Sequence, residues 1–180
     1  MLICQDLVKH YGRKGITPRV VIKVDIKKAY DSLSWDFIGN MMKALNFPGQ
    51  FITWVMQAIR TVEYSISVNG GSFGFFEGKS GVRQGDPISP LIFVMCMEYV
   101  SRYLKLAGIH EEFKFHRQCK TMQITHLSFA DDVILFAGGN VRAGEIILQY
   151  FTRFLEASGL IISKEKSEII FGGVSEEVRN

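Results

Sequence analysis

Long apolar runs are missing from this sequence. The longest, Leu91 to Met97, is far too short to cross a bilayer as a helix. Cysteine is scarce. Cys4, Cys96 and Cys119 are odd in number and widely spaced, so they form neither a zinc pattern nor a disulfide framework, and they suit a reducing compartment. The first residues, Met1 to His10, lack the layout of a secretory signal. There is no internal repeat and no low-complexity linker. A strong excess of one charge is also absent. The net charge is +3, a weak global attraction for nucleic acid. What remains is one globular domain: 180 residues are enough for a core, and 47% hydrophobic content argues against disorder.

Locally, the charge is less even. Lys9, Arg13, Lys14, Arg19, Lys23, Lys27 and Lys28 fall close together, with only Asp6 and Asp25 among them. Arg102, Tyr103, Lys105, Lys114, Phe115, His116, Arg117 and Lys120 form a second basic and aromatic group. Either group can line a phosphate backbone or simply be solvated surface.

Periodicity places the elements. Leu2 to Tyr11 reads as a short helix and Arg13 to Pro18 as a loop. Val20, Ile22, Val24 and Ile26 alternate with Val21, Lys23, Asp25 and Lys27, a strand period. Ser32 or Ser34 can cap a helix from Trp35 to Leu45. A further helix runs from about Gln50 to Arg60, with Phe51, Trp54, Val55, Ala58 and Ile59 at helical spacing, so both tryptophans read as core. Val62 to Val68 and Ser72 to Phe76 form a hairpin around Asn69-Gly70-Gly71. A Gly-rich loop, Gly78 to Pro87, leads to Ser89 as N-cap and Pro90 at N1 of a helix to about Leu106. That helix is apolar on nearly all sides up to Tyr99, which predicts deep burial. The last helix, Val141 to Ser158, stops at Gly159, and Leu160 to Ile162 and Glu168 to Phe171 read as short strands. Interleaved helices and antiparallel hairpins predict an α+β fold with helices on one face of the sheet.

Two short apolar runs, Ile124 to Ala130 and Val133 to Ala137, flank Asp131-Asp132. They predict a hairpin with the two acids at its tip. Adjacent carboxylates repel, and a hard divalent cation removes that penalty. Taken alone, Asp-Asp is an ordinary polar turn. Asp25 changes that reading. It points away from the Val20/Val24 face near the end of a mostly buried strand, where an acid is costly unless paired or bound to metal. Asp25, Asp131 and Asp132 can meet over two neighbouring strand ends as a two-metal cradle for phosphoryl transfer.

The stretches Asp25-Ile26-Lys27-Lys28-Ala29-Tyr30-Asp31, Gly81-Val82-Arg83-Gln84-Gly85-Asp86-Pro87-Ile88-Ser89-Pro90 and Phe129-Ala130-Asp131-Asp132 resemble motifs A, B and C of reverse transcriptases. The wording is most similar to the non-LTR (LINE-type) retrotransposon branch, and within it the plant elements. Ser158-Gly159-Leu160 through Lys166-Ser167 resembles motif D, with Ser163 where the pattern usually has Asn. Four motifs in order are far more specific than one. The resemblance implies a right-hand polymerase palm with part of the fingers. It also implies RNA-directed DNA polymerase activity on an RNA template, a DNA primer and dNTP, with two Mg²⁺ ions (Mn²⁺ a possible substitute) and no membrane. The metal ligands it implies are Asp25, Asp131, Asp132 and the Ile26 carbonyl. Tyr30 corresponds to the steric gate that excludes a ribose 2′-OH, although the same residue reads as a core Tyr without the family pattern. Gln84 and Gly85 correspond to template and nucleotide contacts, with Gly permitting close backbone approach. Lys27 and Lys28 join them as nucleotide or template contacts, and Lys166 as a proton donor to pyrophosphate or else a surface Lys. Arg83 and Asp86 stabilise the loop, and His116 and His126 are structural. Residues 1–180 are thus expected to be a single partial reverse transcriptase domain without the upstream finger motifs, primer grip and thumb, in an intracellular protein that the family places in the nucleus. The other reading is a catalytically inactive remnant that at most binds RNA.

Overall fold

The structure is a computed structural model, and it describes Leu7, Tyr11 and residues 15–175. Apart from Leu7 and Tyr11, the proposed helix from Leu2 to Tyr11 lies outside the described residues, with Cys4 and Lys9 in it, and so do Arg13 and Lys14 at the start of the loop. Strand β1 (Arg19–Lys27) is followed by a single turn α1 (Ala29–Ser32), helices α2 (Trp35–Ala44) and α3 (Gly49–Arg60), and the hairpin β2 (Glu63–Val68) and β3 (Gly71–Glu77). Then come the long helix α4 (Ser89–Ile109), strands β4 (His126–Phe129) and β5 (Asp132–Gly138), helix α5 (Val141–Ser158), and the short strands β6 (Ile161–Ile162) and β7 (Glu168–Gly172). One antiparallel sheet runs β4-β5-β1, with β6 and β7 sharing the far edge of β1. The hairpin β2–β3 is separate from it. This is the α+β architecture that the periodicity predicts.

The period of two in β1 decides which face is which. Val20, Ile22, Val24 and Ile26 enter one core with Ile38 and Met42 of α2, Ile92 and Cys96 of α4, and Ile146 and Phe154 of α5. Val21 faces the other way, into a smaller cluster with Leu7, Cys119 and Phe136. Asp25 lies on that second face, as its position in the alternation requires. Among the described residues no helix is long and apolar enough to cross a membrane.

Several local expectations are corrected. Ser34, not Ser32, caps α2: its hydroxyl accepts from the Phe37 amide at 3.3 Å. Helix α4 starts at Ser89 with Ile88 as N-cap, and the Asp86 carboxylate accepts from the Ile88 amide at 3.2 Å. Deep burial of α4 is overturned: Ile92, Phe93, Cys96, Val100 and Leu104 are buried, but Leu91 is 63% and Val94 64% exposed. An apolar circumference buries a helix only where neighbours cover every side. On α3 the buried stripe is Ile52, Val55 and Ile59. That rotates Trp54 outward to 60% exposure, so it is not core. The hairpin turn Asn69-Gly70 takes positive φ at both residues, 49° and 82°, the two-residue geometry that matches strand twist.

The two internal histidines are structural. His116 is fully buried, receives the Gln118 amide on Nδ1 at 3.3 Å and meets the Tyr11 hydroxyl through Nε2 at 2.8 Å. His126 lies between the Thr125 and Ser101 hydroxyls, 3.0 Å from each. Burial lowers both from the ordinary 6.5 to about 4, assisted by Arg19 at His116 and by Lys105 at His126, where Glu98 opposes it. The unfolded chain therefore binds more protons between about pH 4 and 6.5, so stability falls as pH drops through that window. Acidification from pH 7 to 5 should remove roughly 1–2 kcal/mol per histidine. Urea unfolding at both pH values checks this: in a His116→Gln/His126→Gln protein the pH-dependent loss should shrink. An undiminished loss would assign the acid sensitivity elsewhere.

Candidate active site

The acids sit at one end of the sheet. The turn between β4 and β5 is Ala130-Asp131, closed by the pair Phe129↔Asp132, with Ala130 at φ 53°. Asp132 is the first residue of β5 and pairs with Asp25 of β1. The Ile26 amide donates to the Asp131 carbonyl at 3.4 Å. That bond pattern makes Asp25↔Asp132 a non-hydrogen-bonded pair, the closer of the two antiparallel types, with both side chains on one face. Like charges placed directly opposite cost a strand pair roughly 0.2–1 kcal/mol. Asp25 and Asp132 are half-buried, and Asp131 is exposed at the tip. Of the two acids of the turn, the register puts Asp132 straight across from Asp25.

Past Asp25 the chain is locked by contacts from far along the sequence. Lys28 adopts φ 47° at the start of α1. Tyr30 is half-buried, its ring stacked on Phe93 at 4.9 Å with an 18° interplanar angle. Its carbonyl accepts from the Val82 amide at 2.7 Å. The Gly81 amide donates to the Leu33 carbonyl at 2.7 Å, the Trp35 indole donates to the Gly81 carbonyl at 2.7 Å, and the Ser80 hydroxyl donates to the Asp31 carbonyl at 2.9 Å. The Gly-rich loop is therefore laced to the segment that follows Asp25. The glycine of close approach is Gly81, which sequence reasoning missed: at φ 84°, an added Cβ would lie 2.5 Å from the Asp31 carbonyl oxygen. Gly85 instead has nothing within 4 Å of such a Cβ, so its face of the loop is open, and it takes a φ of 91°. Gln84 and Gly85 are exposed on the loop, between the anchor at residues 80–82 and the Asp86 cap. Arg83 contributes its carbonyl, which accepts from the Asp86 amide at 3.3 Å.

The turn after β6 meets Asp25 on its other side. The Ser163 amide donates to the Asp25 carbonyl at 2.9 Å, and the Asp25 amide donates to Ser167 Oγ at 3.2 Å. Ser163 acts here through its backbone, so Ser in place of Asn leaves this docking intact. Lys166 is exposed and adjacent to Ser167. Lys23 and Lys27 share the face of Asp25 two residues to either side, and with Lys28 they are exposed. Arg19 drops out of the basic group: it is buried, over the Tyr11 ring at 4.9 Å. The second basic group also loses coherence, because His116 is buried, Tyr103 and Phe115 pack on the core, and Arg102 pairs with Glu98 at 2.9 Å.

Whether a metal fits can be judged from the donor set. Three carboxylates and a strand-end carbonyl are the hard oxygen donors that Mg²⁺ takes. Among the described residues, however, no three His, Cys, Asp or Glu side chains stand close enough to hold an ion as they are placed. The residue chemistry fits a divalent cation, and the backbone brings the carriers to one strand end.

An antiparallel sheet backed by helices, with acids at the tip of a hairpin and on the adjacent strand, defines a polymerase palm. A family model described as reverse transcriptase (RNA-dependent DNA polymerase) matches residues 3–179, and the chain belongs to that family. It is 29% identical over 162 residues to the retrovirus-related Pol polyprotein from the type-2 retrotransposable element R2DM of Drosophila melanogaster, covering 89% of this chain and 14% of that protein. It is 31% identical over 136 residues to the Pol polyprotein from the type-1 retrotransposable element R2 of Popillia japonica, covering 75% and 21%. The chain thus spans a small part of the curated relatives it matches. In fold it is similar to apo telomerase from Candida tropicalis truncated from the C-terminal domain, with TM-score 0.67 at 17% identity over 97% of this chain and 34% of that one. Reverse transcriptase membership and the palm fold are as the four motifs implied.

The lacing at Gly81 makes a direct prediction. Gly81→Ala must accept both a left-handed φ, costing about 1–2 kcal/mol, and a clash with backbone. Gly85→Ala meets only the first cost. Thermal or urea denaturation should rank Gly81→Ala as the more destabilised by at least about 1 kcal/mol; equal stability would show that the loop is not docked as described.

Proposed function

We propose that this chain carries the nucleotidyl-transfer centre of an RNA-directed DNA polymerase, joining a dNTP to a primer 3′-OH on an RNA template. The observation that carries the proposal is the opposition of Asp25 and Asp132 in a non-hydrogen-bonded strand pair, with Asp131 next in the turn. A fold gains nothing from two facing carboxylates unless a cation or a cationic substrate meets them. Membership of the reverse transcriptase family supports the reaction class. When bound, two Mg²⁺ ions supply hydroxyl activation and charge neutralisation at the leaving pyrophosphate. Asp25, Asp131, Asp132 and the Ile26 carbonyl would hold them.

The chain's own residues would do the positioning. The strand ladder fixes Asp25 and Asp132, while exposed Asp131 lies on the turn. Tyr30, immobilised against Phe93, is a rigid wall that would exclude a 2′-OH by contact. Gln84 and Gly85, on a loop anchored at both ends, would present an amide side chain and open backbone to the template base and nucleotide. Lys27, Lys28 and Lys166 would meet phosphate charge.

Primer extension on an RNA template, measured in a longer polypeptide that includes the flanking polymerase segments, tests the reading. Asp25→Asn, Asp131→Asn and Asp132→Asn should each abolish Mg²⁺-dependent extension, because a neutral amide is a poor Mg²⁺ ligand. Full activity in Asp25→Asn would overturn the mechanism. Tyr30→Ala should keep dNTP extension and admit rNTPs more readily; unchanged discrimination would remove Tyr30 from the gate.

A further inference from the structure

Strand β1 has a regular neighbour everywhere on its outer edge except opposite Val24 and Asp25. Strand β7 pairs with Arg19 to Lys23, and β6 with Ile26 and Lys27. Between them the edge is interrupted by the polar turn Ser163-Lys164-Glu165-Lys166-Ser167. Three hydrogen bonds close a ring at this point. The Ser163 amide donates to the Asp25 carbonyl at 2.9 Å, the Ser167 amide donates to the Ser163 carbonyl at 2.9 Å, and the Asp25 amide donates to Ser167 Oγ at 3.2 Å. In a continuous ladder the last acceptor would be a backbone carbonyl. Here it is a side chain, on a residue half-buried against the strand.

On the inner edge, the bond that follows Asp25, from the Ile26 amide to the Asp131 carbonyl, is long at 3.4 Å, at the end of the ladder where Asp25 and Asp132 repel. The register of the ladder sets Asp25 opposite Asp132, and the outer edge adds a second hold on the last residues of the strand. We propose that Ser167 is a positioning residue of the acid centre. Its hydroxyl, by accepting the Asp25 amide, fixes the strand end from which the Asp25 carboxylate projects. It touches no substrate. Through the same ring, the exposed turn that carries Lys164 and Lys166 is tied to Asp25, so displacement of that turn moves the acid. This rests on the reading of Asp25 as an acid of the transfer centre.

The test uses the 180-residue chain with Mn²⁺ alone as the probe, its dissociation constant followed by calorimetry or electron paramagnetic resonance. Groups that orient metal ligands typically change metal affinity by about tenfold or more. Ser167→Ala should weaken Mn²⁺ binding by about that factor, and Ser167→Thr, which keeps the hydroxyl, should restore it. Ser167→Val matches Thr in shape without the hydroxyl, should behave as Ala does, and serves if Ser167→Ala fails to fold. Melting temperature without metal separates the roles: a variant that melts lower yet binds Mn²⁺ like the native chain would make Ser167 merely structural and overturn the proposal. Asp25→Asn separates the proposal from the reading beneath it. If Asp25→Asn loses Mn²⁺ while Ser167→Ala and Ser167→Val retain native affinity, positioning by Ser167 alone fails. If the native chain binds no Mn²⁺, or Asp25→Asn binds it as tightly, the acid centre fails and this inference with it.

Discussion

Two like charges held face to face are the constraint on which the site depends. Asp25 and Asp132 oppose each other at the end of an antiparallel ladder whose register runs without a slip from Arg19↔Gly138 to Asp25↔Asp132. Repulsion of up to about 1 kcal/mol favours any shift that separates them. A slip of one residue would do so, and it would also turn Val20, Ile22, Val24 and Ile26 out of the core. Each of those buried side chains contributes about 1.5–3 kcal/mol. The hydrophobic face of β1 therefore outweighs the acid pair several times over. The charges stay opposed because the core leaves them no alternative register.

A second dependence follows the strand into α1. The segment from Lys28 to Trp35 makes contacts to the Gly-rich loop, to α4 and to the end of α5. Its carbonyls receive amides from Gly81 and Val82, its indole bonds back to Gly81, and the Ser34 amide reaches the Ser158 carbonyl at the end of α5 at 2.8 Å. Gly159 turns there at φ 75°, with room for a Cβ no closer than 3.2 Å from the Ser32 carbonyl. The Gly-rich loop, the end of α5 and the turn that follows are thus referenced to one short stretch of backbone rather than to each other. Small displacements of that stretch would be felt at the acids, at Tyr30 and at Gln84 together.

Much of this was legible in the sequence, for local reasons. Alternation in β1 located the face of Asp25, Asn-Gly marked the hairpin turn, Gly159 ended α5 where a left-handed residue is needed, and four motifs in order named the family. What escaped is set by contacts across long separations. Gly81 and Gly85 look alike in a Gly-rich loop; only the docking of residues 80–82 on residues 30–35 shows which has no space for a side chain. Arg19 counted as surface charge until Tyr11 and Gln118 enclosed it. Trp54 and Val94 follow apolar spacing that says nothing about whether a neighbour covers them. The tie between Ser167 and Asp25 spans 142 residues, and the only sequence trace of it is a polar interruption between two apolar runs.

Electrostatics then separates along the sheet. The cations that remain exposed on the acid face, Lys23 and Lys27, lie on the same strand as Asp25, two residues either side, close to 7 Å away along a strand. At that spacing they cannot substitute for a cation between the carboxylates, since the strand holds them beside the pair. They can meet phosphate oxygens that approach over it. A global charge of +3 gives no hint of this arrangement. The acids are concentrated at the strand end, and the lysines beside them form a rim of opposite sign. An anionic substrate could meet that rim only if cations first covered the acids. Charge distribution and register therefore both support the proposed metal at the acids, each from a different observation.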